Sequence, residues 1–154
     1  MTHDLFPADE TASTAAASAS RRVAITATVV PDGLRLNFLP NQFGPKLMMI
    51  VEQAVYDWMR RLCSSYTGGY WNYIELSNGG GYLQPTGQPY FDLAVEGNHF
   101  DARVSPDVAG IVVTAFALNS MLWKGFDVLN GKYEQLLAYI AVHPECATIR
   151  RALD

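Results

Sequence analysis

The feature that most constrains this chain is the run Val108 to Leu118, VAGIVVTAFAL, whose only non-apolar interruptions are Gly110 and Thr114. An amphipathic helix shows one apolar stripe and one wet face, whereas a helix apolar on all sides must be covered on most sides by other elements. The run is well short of the roughly 20 residues that span a bilayer, so it predicts the central helix of a soluble core rather than a membrane segment. Ser105-Pro106-Asp107 immediately before it is a helix start: Ser105 can cap, Pro106 fits the first position, and Asp107 meets the positive end of the dipole. This helix is expected to run to about Leu122. The remaining elements must wrap around it.

Two kinds of segment are available to do so. From Pro45 to Tyr66 apolar residues recur at three- and four-residue intervals (Leu47, Ile50, Val51, Ala54, Val55, Trp58, Met59, Leu62), predicting a helix with that stripe toward the core and Glu52, Asp57 and Arg61 outside. Pro45 suits its first turn and Gly68-Gly69 its termination. Tyr133, Leu136, Leu137 and Ile140 mark another helix, and Pro144 starts a last one carrying Ile149 and Leu153 inward, with His143 as its cap. Residues 34–39 read as a loop across the core before Pro40, and Trp123 to Leu129 as a linker. Between the helices the period falls to two. Val23, Ile25, Ala27 and Val29 suggest a short strand, and YWNYIEL places Tyr70, Asn72, Ile74 and Leu76 on one face and Trp71, Tyr73 and Glu75 on the other.

SNGGG, residues 77–81, then turns the chain. With Asn78-Gly79 central Ile74 opposes Leu83, and with Gly79-Gly80 central Leu76 does. Either two-residue turn puts Tyr82 beside Trp71, Tyr73 and Glu75. That face is either packed against a helix or a contact surface. The next hairpin, YFDLAVEGNHFDARV, is more sharply defined: a Gly97-Asn98 turn pairs Val95 with Phe100, Leu93 with Ala102 and Phe91 with Val104 on one face. On the other it pairs Glu96 with His99 and Asp92 with Arg103. The expected architecture is α+β, about four helices packed around a small three- to four-stranded antiparallel sheet. Residues 1–20, ending TASTAAASAS, have little to bury and are expected to form a flexible tail before a single domain over 21–154.

Composition removes several kinds of chemistry. SNGGG is followed by YLQP rather than by Lys-Ser/Thr opening a helix, so it is not a phosphate loop. Trp71, Tyr73 and Tyr82 on one face could stack single-stranded nucleic acid, but such platforms need a cationic track. No Lys or Arg occurs between Arg61 and Arg103, while Glu75, Asp92, Glu96 and Asp101 do. Cys63 and Cys146 are in no metal or redox spacing, and His3, His99 and His143 form no catalytic constellation, so no catalytic, metal or cofactor residue is assigned. The N-terminus is acidic and lacks the basic start of a secretory signal, which predicts a cytoplasmic protein.

Three stretches, RLNFLPNQFGPKLMMIVEQAVY, YDWMRRLCSSYTGGYWNYIELSNGGGYLQP and EGNHFDARVSPDVAGIVVTAFALN, with the helical ending that contains HPE, resemble the KlcA/ArdB antirestriction family of plasmids and other mobile elements. The similarity covers about residues 26–153. It implies protection of incoming DNA against host type I restriction systems, and a fold of several helices around a small antiparallel sheet. Some antirestriction proteins mimic DNA, and imitating about 12 base pairs takes on the order of 24 negative charges. This chain has 15 acidic and 11 basic residues, interspersed, for a net charge of −4. A protein contact is therefore expected instead, with the restriction enzyme itself or an associated host factor. Trp71, Tyr73, Glu75, Asn78 and Tyr82 are the candidate contact residues.

Overall fold

A computed structural model describes residues 24–154; the expected tail and the first residues of the expected domain, 1–23, lie outside it. Three strands, β1 (Ala27–Val29), β2 (Trp71–Leu76) and β3 (Gly81–Pro85), form one antiparallel sheet in that order. A separate hairpin of β4 (Phe91–Val95) and β5 (Phe100–Val104) forms a second. Among the described residues five α-helices surround them: α1 (Arg35–Phe43), α2 (Met48–Leu62), α3 (Pro106–Trp123), α4 (Asn130–Val142) and α5 (Cys146–Leu153). The α+β class is as expected, with one more helix and with the strands divided between two sheets.

Helix α3 is the centre of the molecule. Eleven of its residues are buried, among them Val108, Ile111, Val112, Leu118 and Met121. Among the described residues it is the one helix with the length and hydropathy to cross a membrane, yet 61% of it is buried inside the protein. Ser105 caps it, its Oγ accepting from the Val108 N–H at 3.1 Å. The helix lies along the outer edge of β3, where the Leu83 N–H donates to Thr114 Oγ1 at 3.2 Å. Closing that edge needs a residue without a side chain: a Cβ on Gly110 would stand 2.3 Å from the Leu83 carbonyl oxygen. The two non-apolar interruptions of the central run are thus the two points where α3 meets strand backbone.

Several local expectations are corrected. Residues 35–43 are helix rather than loop, with Pro40 inside it. Proline there removes a hydrogen bond to the carbonyl of Leu36, a residue exposed to water that can satisfy it instead. Helix α2 starts at Met48 and ends at Leu62, where Cys63 turns extended before the Ser64-Ser65 pair, so Pro45 precedes it and Gly68-Gly69 belong to the following loop. Its buried face is Val51, Val55, Met59 and Leu62, narrower than the apolar stripe suggested; Ile50 is 48% exposed, and Ala54 and Trp58 are half-buried. Helix α5 begins at Cys146, not Pro144.

The two hairpins contrast. β4 and β5 pair as expected, Phe91 with Val104, Asp92 with Arg103, Leu93 with Ala102 and Val95 with Phe100. Gly97 and His99 both have positive φ, which opens the turn to four residues, and no ladder pair forms between Glu96 and His99. In the first hairpin Tyr73 pairs with Leu83, Ile74 with Tyr82 and Glu75 with Gly81. The Leu76 N–H donates to the Gly80 carbonyl at 2.9 Å, leaving a three-residue loop, Ser77-Asn78-Gly79, with Gly79 at φ +95°. An odd loop inverts the parity of both two-residue alternatives. Tyr82 therefore shares a face with Ile74 and Leu76, opposite to Trp71, Tyr73 and Glu75.

Candidate interaction site

Strands β2 and β3 are covered on both sides over most of their length, and this decides where the five candidate contact residues lie. On one face Trp71 is 3% exposed, its indole N–H donating to the Tyr66 hydroxyl at 2.8 Å and its ring 5.3 Å from that of Tyr56. Tyr73 is half-buried beside it, stacked on Phe38 of α1 at 4.8 Å and donating its hydroxyl proton to Glu52 of α2 at 3.1 Å. Arg35 lies between the rings of Tyr70 and Tyr73, 4.4 and 4.3 Å from their centroids. Burial and the nearby Glu52 carboxylate push the Tyr73 phenol up to about 12. Glu75, next along this face, is exposed.

Tyr82 is 1% exposed and sits on the other face, under α3 and α4. Its hydroxyl donates to Asp107 Oδ1 at 2.5 Å, and Gln84 Nε2 donates to the same oxygen at 3.0 Å. The second Asp107 oxygen lies 2.8 Å from His143 Nε2. His143 Nδ1 accepts from the Glu145 backbone N–H at 2.9 Å, which leaves Nε2 as the donor to the carboxylate. Burial, then the hydrogen bond to Asp107, raises the Tyr82 phenol far above its ordinary range. Asp107 thus joins β3, α3 and the α4–α5 junction. Asp107 and His143 appeared from the sequence as a dipole partner and a cap; their 36-residue separation carries no sign that they meet.

The hairpin tip is clamped rather than presented. Asn78 Oδ1 accepts from the Gly80 N–H at 3.0 Å, while its Nδ2 donates to the Gln135 carbonyl at 3.0 Å and Gln135 Nε2 returns to the Asn78 carbonyl at 2.9 Å. Lys132 Nζ donates to the Gly79 carbonyl at 2.8 Å, and Gln42 Nε2 to the Gly79 and Gly80 carbonyls at 3.2 Å each. Helix α4 comes so close that a Cβ on Gly80 would lie 2.9 Å from Gln135 Cβ, and α1 so close that one on Gly81 would lie 3.0 Å from Phe38 and Gln42. The glycines of SNGGG are there for approach as well as for turning. Asn78 remains half-buried.

The sheet therefore offers no three-ring stacking platform, because Trp71 and Tyr82 are interior and on opposite faces. What it leaves accessible is Glu75, part of Tyr73 and part of Asn78. Asp57 with Arg60, Asp92 with Arg103 and Asp107 with His143 are the ion pairs among the described residues. No group of His, Cys, Asp and Glu able to hold a metal ion is found among the described residues.

Comparison with known proteins adds the following. A family model described as antirestriction protein matches residues 64–154. Two Escherichia coli proteins called antirestriction protein KlcA are 45% identical over 135 residues and 42% identical over 137, each covering 84% of this chain and respectively 95% and 94% of the relative. A putative antirestriction protein, YubI, of Escherichia coli (strain K12) is 38% identical over 128 residues, covering 78% of this chain and 89% of its own. A solved structure from work on the KlcA and ArdB proteins matches with a TM-score of 0.79 at 45% identity, covering 84% of this chain and 95% of that one. Those proteins are described as having a novel fold and antirestriction activity against type I DNA restriction systems in vivo but not in vitro.

Proposed function

Since this chain belongs to the antirestriction protein family, we propose that it protects unmodified incoming DNA in a host with a type I restriction system, without catalysis and through contact with a host protein. The observation that carries the mechanism is the placement of charge. A DNA mimic must array on the order of 24 carboxylates along about 12 base pairs' length. Here 15 acidic residues are offset by 11 basic ones, and Asp57, Asp92 and Asp107 each spend their charge on a partner within the fold. Such a surface suits a protein partner better than the DNA channel of an enzyme.

The partner is the type I restriction enzyme or a host factor associated with it. Activity in vivo but not in vitro, described for KlcA and ArdB, supports a route that needs a further component of the cell. Of the first hairpin, Tyr73, Glu75 and Asn78 are the residues through which a contact could run; Trp71 and Tyr82 hold the sheet that carries them. The test is plating of unmodified phage on a type I restricting host. Expression of the chain is expected to raise plating toward that on a non-restricting host, and soluble expression with no rise would overturn the reading.

A further inference from the structure

Beside the buried face of α2 runs a second stripe, Met49, Ile50, Ala54, Trp58 and Arg61, one to four residues apart and so on one side of the helix. Met49 and Ile50 are exposed, and Ala54 and Trp58 are only partly covered by the core. With the C-terminal half of α3 the stripe forms the walls of a trough, two adjoining hollows of about 330 and 300 Å³ that share Ala54, Asp57 and Lys124. Its apolar surface comes from Met49, 62% exposed, Ile50, 48% exposed, and Trp58, which lines the second hollow and stacks on Phe116 at 4.7 Å. Trp123, 86% exposed at the end of α3, adds apolar surface at that helix's C-terminus. A further hollow of about 400 Å³, lined by Phe43, Leu47 and Val128, opens at the start of α2.

The polar groups of the trough select an occupant. Asp57 is hydrogen-bonded from within α2 by Gln53 and Arg60, which with the nearby Lys124 hold its carboxyl below the usual range. Arg61, 4.8 Å over the Trp58 ring, and Lys124 line the trough, and among the described residues neither is in an ion pair. We infer that this trough receives an acidic amphipathic helix of a partner protein, its apolar side on Ile50, Ala54 and Trp58 and its carboxylates toward Arg61 and Lys124. The stripe from Met49 to Arg61 is about 18 Å long, the length of about 12 helical residues. Helix-in-groove recognition uses this geometry, apolar anchors along a hydrophobic floor with charged residues fixing direction. A polyanion is a poorer fit, since two cations over an apolar floor supply little of the phosphate neutralisation that nucleic acid needs.

The inference rests on the reading that the chain acts through a protein contact, and the test separates the two. The probe is a fluorescein-labelled helical peptide of about 12 residues, leucines and a phenylalanine on one face and glutamates flanking it. A version with lysine for glutamate and a short labelled DNA duplex serve as comparators in anisotropy titrations. The acidic peptide is expected to bind saturably, about tenfold more weakly to Lys124→Glu and not at all to Ala54→Glu, while the lysine peptide prefers Lys124→Glu. Equal binding of both peptides, binding of neither, or preference for the duplex overturns the inference. In the plating assay Ala54→Glu, folded by circular dichroism, is expected to lose protection that Leu36→Asp keeps. Full protection by Ala54→Glu would sink the trough and leave the proposed function standing; no protection by the unsubstituted chain would sink that function and leave the trough to the titrations.

Discussion

At the scale of the residue, Asp107 holds together elements far apart in the chain. Its carboxylate is the common acceptor for Tyr82, Gln84 and His143, so removing it strands buried donors on two elements at once. Asp107→Ala is expected to cost about 3 kcal/mol in urea denaturation, and a loss under about 1 kcal/mol would show that the network is dispensable. Trp71 behaves as a core residue: Trp71→Ala is expected to cost about 3 to 5 kcal/mol, while Glu75→Ala on the exposed end of the same face stays within about 0.5. Loss of protection by Trp71→Ala would therefore report unfolding, not a lost contact. The buried phenols add a pH dependence. Tyr73, at about 12, and Tyr82, higher still, keep their protons above the ordinary tyrosine range, so the native state binds more protons than the unfolded one there. Their contribution is complete below pH about 10 and is lost as pH rises through about 12. The urea midpoint should fall over that window; tyrosinate formed by all tyrosines in the folded chain near pH 10 would contradict it.

At the scale of the element, the close approach of α3 to β3 is the tightest constraint. Gly110→Ala improves intrinsic helix propensity by about 1 kcal/mol, yet its Cβ would collide with strand backbone that cannot swing aside as a side chain can. The balance is expected to be net destabilisation of about 1 to 3 kcal/mol, and an unchanged or raised Tm would show that helix and strand separate freely. The same scale explains what could be read in advance. The β4–β5 register was legible because hydrophobic pattern, turn residues and the Asp92–Arg103 pair all demanded one alignment. The β2–β3 register was not, since three consecutive glycines allow an odd loop as readily as an even one, and one residue of difference moved Tyr82 to the opposite face. Helix α1 was missed because Pro40 reads as a breaker, although its cost is small where the freed carbonyl faces water. The apolar stripe of α2 was legible, but not its division between core and trough, which depends on where α3 stops covering it.

At the scale of the whole molecule, α3 is buried at the centre, with one sheet layered between helices and a second hairpin against α2 and α3, and acidic and basic residues are interspersed along the chain. Family membership and fold were legible because the glycine-aromatic segment and the central helix are both dictated by close packing. The contact surface was not, because aromatic residues look alike in sequence whether they face a partner or a neighbouring helix. The central claim, protection without DNA mimicry, is tested most directly by one comparison in a type I restricting host: plating of unmodified phage with the intact chain and with a variant in which exposed Glu96, Asp101 and Asp127 become Gln, Asn and Asn, taking the net charge from −4 to −1. Both are expected to raise plating to the same level. Protection by the intact chain that collapses in the folded, less acidic variant would show that the negative surface itself is what the restriction system reads.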